Sequence, residues 1–551
     1  MLRKLFLTAA IPALAIPLLV FAQQPETVDL NVIHKIKAAE FGTGGRFGRA
    51  PNEIMTTAYY LTDRYGPRLT NSPQFRAAGE WAASQLKEWG IGDVHLEPFG
   101  TAGLRGGAIP GWEMKYYYGA MVEPTYMPII GYPQAWSGST SGVATGEAVI
   151  AQNSTEEDMK KWHGKLQGKF VLIAPVTAGS PTAALELAFP TTPLAHRYSD
   201  QELAALVPEI VPGGAGGRGG RGGPYAALAN MTPEERQAFQ EKQANYWKEE
   251  GVLATITASA RGESGTVFAS NGAPRTGDPT TNVPAVAIGA ENYNRIVRLV
   301  EHTVPVKLSF DIRNQFDTTK TDCFNVIAEI PGGAKPKELV MVGGHFDSWH
   351  MGTGATDNGA GATLAMEVMR LLHTTGLKMD RTVRMALWGG EEQGLFGSQA
   401  YVKAHFADPA TMKTTPEHDA FAGYFNIDNG TGRIRGIYLQ GNERARPIFE
   451  AWFAALKDLT PGVVTARDTG GTDHQSFDAV GLPGFQFIQD EMDYDTRTHH
   501  SNMDVYDRLQ EQDMRQMAVI EAVFVYNAAT RAEKLPRKDL PAPRPAGARG
   551  N

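Results

Sequence analysis

The chain of 551 residues holds a single cysteine, Cys323. An intramolecular disulfide is therefore excluded, and stability must come from core packing, with bound metal as a second source. Nor is there an excess of positive charge: 52 Lys and Arg stand against 60 Asp and Glu, a formal net charge of −8. That balance argues against nucleic acid as a partner. Long apolar runs are missing too. The longest, Leu5 to Val20, is shorter than the ~20 residues a membrane span needs and is interrupted by Pro12 and Pro17. With Arg3 and Lys4 before it and Val20-Phe21-Ala22 after it, residues 1–22 read as a cleaved export signal. The expected location is periplasmic or secreted. No cysteine follows the run, so no lipoprotein anchor is indicated, and no stable membrane anchor is expected after cleavage. The chain also lacks a Gly-x-Ser-x-Gly nucleophile elbow, so Asp473 and His474 in "GGTDHQSF" do not support serine hydrolysis. In "GGAGGRGGRGGP", Gly213 to Pro224, two arginines without an interleaved aromatic residue read as a surface loop rather than an RNA-binding segment.

What is present is an ordinary globular composition, 42% hydrophobic and 20% charged, in a chain too long for one core. From Asn52 to Phe99 the pattern gives a helix, a turn at Gly66-Pro67, an amphipathic helix carrying Phe75, Ala78, Trp81, Ala82, Leu86 and Trp89, and a strand. Between Pro124 and Val304 short strand-like runs separated by Gly, Pro and Ser imply a smaller β-rich domain inserted into the first. From Phe324 onward buried strands alternate with amphipathic helices. The expected class is α/β, with a mostly parallel mixed sheet sandwiched by helices. The expected division is 1–22 signal, 23–123 and 305–530 the two parts of the main domain, 124–304 the insert, and 531–551 a Pro-rich, charged, disordered tail.

Ligand sites on such sheets lie at the carboxyl ends of the strands. His345 closes "ELVMVGGH", Glu391 and Glu392 close "RTVRMALWGGEE", and Asp428 closes "FNIDN". Asp357 stands at the mouth of the helix after the first of these strands, and His499 or His500 follows "GFQFIQD". Carboxylates gathered in one cleft repel and take up protons unless cations hold them ionised. Imidazole and carboxylate without thiolate suit zinc, with manganese or cobalt as alternatives, and the number of groups suits two ions bridged by one carboxylate. Adjacent side chains diverge, so of Glu391 and Glu392 one can bind metal while the other takes the proton from an activated water.

"GGHFDS", "DNGAG", "WGGEEQGLFGS", "NIDN" and "HHSNMD", in this order, resemble the co-catalytic di-zinc exopeptidases, the family of bacterial leucyl aminopeptidases, glutamate carboxypeptidase II and carboxypeptidase Q. The resemblance runs from Ala58 to Tyr526. "LQGKFVLIAP" and "VPAVAIGAENYNRIVRLVE" look like a protease-associated domain, a combination most similar to the carboxypeptidase Q branch. The resemblance implies Asp357 as the bridging ligand, His345 and Asp428 on one zinc, Glu392 and His500 on the other, and Glu391 as general base. It further implies Asp347 as the carboxylate that fixes the His345 tautomer, a peptide substrate, and a homodimer, because relatives with the insert are often dimers. His499 stands where many relatives have Tyr, and its N–H is expected to serve the tetrahedral oxyanion. Two rival readings share the fold: an inactive receptor or binding protein, and a single-zinc transferase similar to glutaminyl cyclase. Arg433, Arg435, Arg467 and Arg497 are the candidates to meet a substrate carboxylate.

Overall fold

The computed structural model describes residues 26–42, 52–100, 108–173, 182–187, 192–207, 232–259, 261–275 and 278–543. The expected signal segment 1–22 and the Gly/Arg-rich stretch 213–224 lie outside the described residues. The larger of two eight-stranded sheets is built from β1 (Gly92–Phe99), β2 (Cys323–Ile330), β3 (Lys335–His345), β4 (Arg381–Trp388), β5 (Phe421–Asn426), β6 (Ile434–Tyr438), β7 (Val463–Thr465) and β8 (Gly484–Gln489), in the order β1-β2-β4-β3-β5-β8-β6-β7. The four central strands β4, β3, β5 and β8 run parallel, while β1, β2 and the β8–β6 pair are antiparallel. Fold class and layering match the expectation from sequence.

Strand alternation decides which helix each residue meets. Val340, Val342, Val383, Met385 and Leu387 face a core built with helices Ala360–Thr374 and Glu511–Thr530. Met341, Ala386, Trp388 and Tyr424 face the opposite layer with Tyr401, Phe406 and Phe477. With both faces covered, the central strands are almost wholly apolar, each fully buried aliphatic or aromatic side chain contributing about 1.5–3 kcal/mol. The N-terminal amphipathic helix, Pro73–Glu88, begins where Ser72 caps the Phe75 N–H at 3.1 Å with Pro73 in its first turn, and it stops before Gly90 at φ 85°.

The second sheet lies between β1 and β2 in the chain. Its strands include Gly111–Glu123 and Lys307–Asp317, an antiparallel pair flanking the shorter strands between them. Both strands lie outside the expected bounds 124–304 and mate across the whole length of the segment between them, a pairing that neither strand's own pattern reveals. The tail also differs from expectation. Residues 531–543 pack on the main domain, with Leu535 buried in its core and Arg537 Nη2 donating to the His418 carbonyl at 2.7 Å. One well-placed leucine and the arginine's donors overcome the polar composition. Among the described residues no helix is long and apolar enough to cross a membrane.

Candidate active site

β3, β4, β5 and β8 end at one edge of the sheet, and these ends with the loops that follow carry all eight residues singled out in the sequence. His345, the last residue of β3, points Nε2 at Asp428 Oδ1 (3.2 Å), Asp357 Oδ1 (3.4 Å) and Glu391 Oε2 (3.8 Å). Across Asp357, His500 Nε2 stands 3.2 Å from the second carboxylate oxygen, Oδ2, and 2.9 Å from Glu392 Oε2. Asp357 thus divides its two oxygens between two histidines. The ligand-type atoms of His345, Asp357 and Asp428 lie within 4.8 Å of one another, as do those of Asp357, His499 and His500.

Local chain geometry explains how the adjacent glutamates part. After β4, Gly390 at φ 72° turns the chain in a conformation other residues rarely adopt. Asp347 then receives both following backbone amides, Glu391 N at 3.2 Å on Oδ1 and Glu392 N at 3.3 Å on Oδ2. With the peptide held there, Glu391 faces His345 and Glu392 faces His500. The His345 Nδ1 faces both the Asp347 carbonyl (3.0 Å) and its carboxylate (3.5 Å), and the same carboxylate also braces the Glu391–Glu392 turn, helped by the Thr70 hydroxyl at 2.7 Å.

Three supporting residues go beyond the site expected from sequence. Asp504 Oδ1 accepts from Thr356 N at 2.6 Å and Oδ2 from Asp357 N at 3.3 Å, which fixes the loop carrying Asp357. The fully buried Arg68 guanidinium donates to the carbonyls of Thr353 (2.9 Å) and Gly354 (2.7 Å) in the preceding turn. Asp473 lies fully buried within charge range of His345 and Asp428. "HHSNMD" contains Asp504, but the backbone groups it holds leave no sequence signal. His474, next to Asp473, binds the Thr469 carbonyl at 3.1 Å. Of the four arginines, Arg433 pairs with Asp513, Arg435 with Asp490, and Arg467 donates to the Ala205 carbonyl; Arg497 stands half-exposed in the loop of His499.

Burial and like charge dominate the electrostatics. Glu391 is pushed well above the ordinary carboxylate range by burial, which the nearby Asp428, Asp473 and Glu392 reinforce and His345 opposes. Burial and Asp357 raise Glu392 to about 7. His345 resists the effect of burial, and the carboxylates of Asp428 and Glu391 hold its pKa well above 6.5.

A cation fits this donor set. Glu392 Oε1 is buried without a hydrogen-bond partner. Two ligands on one tetrahedral zinc, each at ~2.0–2.1 Å, stand about 3.3 Å apart; the Asp357 contacts to His345 and His500 have that span.

Residues 325–525 match the model of peptidase family M28. Human carboxypeptidase Q is 26% identical over 498 residues, covering 89% of this chain and 88% of the relative. Among solved structures, a peptidase M28 precursor from Shewanella amazonensis SB2B superposes with a TM-score of 0.62 at 23% identity, covering 93% of this chain and 99% of that one. A zinc aminopeptidase from Bacillus subtilis superposes with a TM-score of 0.52 at 18% identity, over 89% and 98%. Fold, motif order and near-full-length similarity agree: residues 325–525 form a peptidase M28 domain, the chain is similar to carboxypeptidase Q over most of its length, and it is a hydrolase.

Proposed function

We propose that the protein is an exported metallo-exopeptidase that binds two zinc ions and removes a terminal residue from short peptides. His345 and Asp428 would hold one ion, Glu392 and His500 the other, with Asp357 between them. The observation that carries this reading is the division of the two Asp357 oxygens between His345 and His500. Export rests on residues 1–22.

Bound zinc supplies Lewis acidity toward water and the scissile carbonyl. Glu391, beside His345 and turned away from Glu392, takes the proton from the attacking water and delivers it to the leaving amine. Asp347 keeps Glu391 turned away from Glu392 through the two amide contacts. His499, half-exposed with Nε2 3.8 Å from Asp357, donates to the developing oxyanion from the open side of the cleft.

The test uses one dipeptide in three forms: free at both ends, N-acetylated, and C-amidated, each before and after chelation and zinc restoration. Loss of cleavage only on acetylation identifies an aminopeptidase, loss only on amidation a carboxypeptidase, and loss on both a dipeptidase. Cleavage that persists in chelator, or no cleavage of any form after zinc is restored, refutes the proposal.

A further inference from the structure

The loop that carries His499 and His500 is gripped by the inserted domain from both sides. On one side, a segment between the insert strands Phe170–Ile173 and Ala254–Ala258 lies along residues 490–496. His196 and Met492 exchange backbone hydrogen bonds of 2.8 Å in both directions, the Thr496 hydroxyl donates to the Leu194 carbonyl at 2.8 Å, and Tyr198 N donates to Asp490 Oδ1 at 3.0 Å. On the other side, Ala269 N donates to the carbonyl of His500 itself at 2.7 Å, Asn502 N to the Val267 carbonyl at 3.0 Å, and Val267 N to Asn502 Oδ1 at 2.7 Å.

Charge anchors the first of these contacts. Asp490 and Asp513 have side chains only 1% and 3% exposed, and Arg197 of the insert reaches both, Nη1 3.0 Å from Asp490 Oδ2 and Nη2 2.7 Å from Asp513 Oδ2. Arg435 pairs with Asp490 alone and Arg433 with Asp513 alone. Arg197 therefore joins the two buried carboxylates and ties the insert to the residue directly after β8, ten positions before His500. Truncating it leaves each carboxylate with a single arginine and loosens this strap of the insert, which then keeps its hydrogen bonds to residues 490–496.

From this geometry we infer that the insert is a working part of the metal site, with Arg197 a positioning residue that acts through Asp490 on His500. The inference rests on the proposed ligand role of His500. His500 itself stands at φ 66°, a backbone conformation that a non-glycine residue holds only when its surroundings impose it, and the Ala269 hydrogen bond is one such constraint. Outer partners that orient a ligand typically change metal affinity 10–100-fold when removed.

The test compares full-length wild type, Arg197→Ala, Arg197→Lys, Asn502→Ala and His500→Ala. Zinc stoichiometry is measured by plasma mass spectrometry during titration with a chelator of graded concentration, and folding by circular dichroism. Wild type is expected to release two ions. Arg197→Ala and Asn502→Ala are expected to give up one ion at a free-zinc level about tenfold higher than wild type while the other keeps its affinity. Arg197→Lys, which preserves one charge, is expected to recover part of the difference. Arg197→Lys and Asn502→Ala also keep the test decisive if Arg197→Ala does not fold. Unchanged release of both ions in the folded strap variants, with His500→Ala losing one, overturns the inference and leaves the ligand assignment standing. If His500→Ala keeps both ions, or wild type never binds two, the ligand assignment itself fails and this inference with it.

Discussion

Glu391 and Glu392 are neighbours in the chain and opposites in the site, one against His345 and the other against His500. Their roles are separable by substitution. Glu391→Gln keeps the size of the side chain and removes the proton acceptor, so kcat on a cleavable dipeptide should fall by about 10²–10⁴ with zinc content unchanged. An equal loss of bound zinc would make Glu391 a ligand instead. His499→Ala should lower kcat and leave KM nearly unchanged, because its N–H serves charge that develops only in the transition state; an unaltered kcat refutes that role. The side chains that the structure gathers at the strand ends were legible because chemistry restricts residue type: carboxylates crowded with imidazoles at neighbouring strand ends repel or take up protons unless cations join them. Asp504, Thr70 and the hold of Asp347 on the Glu391 and Glu392 amides were not, since what they hold is largely backbone or turn geometry, which any sequence can supply.

At the scale of elements, the strand–helix alternation was readable because strands covered on both faces become uniformly apolar and helices keep one polar stripe. The packing of helix Leu30–Phe41 hides a feature that periodicity does not predict. Its Glu40 is fully buried beside Glu367 of helix Ala360–Thr374, with Arg515 and Arg370 close by. Burial first, and Glu367 second, push its pKa from 4.5 to about 9 against the pull of the two arginines. A carboxyl whose folded pKa is raised favours the folded state fully below its unfolded pKa, and that contribution is lost as pH climbs toward the folded value. The affected window is therefore pH 4.5 to 9. Glu40→Gln removes the titration. Its Tm should exceed that of wild type by about 1–3 °C at pH 8 and match it near pH 4.5. Parallel Tm curves for the two proteins across that range would show that Glu40 does not titrate as buried.

At the scale of the molecule, neither the pairing of Gly111–Glu123 with Lys307–Asp317 nor the packing of residues 531–543 was legible in the sequence. Gly111–Glu123 finds its partner, Lys307–Asp317, only after the whole insert has folded between them, and Leu535 docks on a core assembled from distant elements. Such pairings are tertiary facts, invisible to local pattern. The proposed metal site is global in the same sense, drawing residues from four strand ends and, on the inference above, support from the insert. Without a cation it concentrates Asp357, Asp428, Glu391, Glu392 and Asp473 in one buried region, where Glu392 and Asp473 are both driven to about 7, chiefly by burial. Cations that bind the folded site alone stabilise it by mass action, about 2.7 kcal/mol at 100 times Kd and about 4.1 kcal/mol at 1,000 times Kd. For a domain of this size that corresponds to a rise in Tm of roughly 4–6 °C on adding zinc to chelated protein. The gain should shrink as pH falls below 6, because protons then compete for the histidine and carboxylate donors. Calorimetry on the chelated full-length protein with and without zinc measures both effects. A Tm indifferent to zinc at neutral pH would mean that these carboxylates share protons rather than cations, and the two-ion reading would fall.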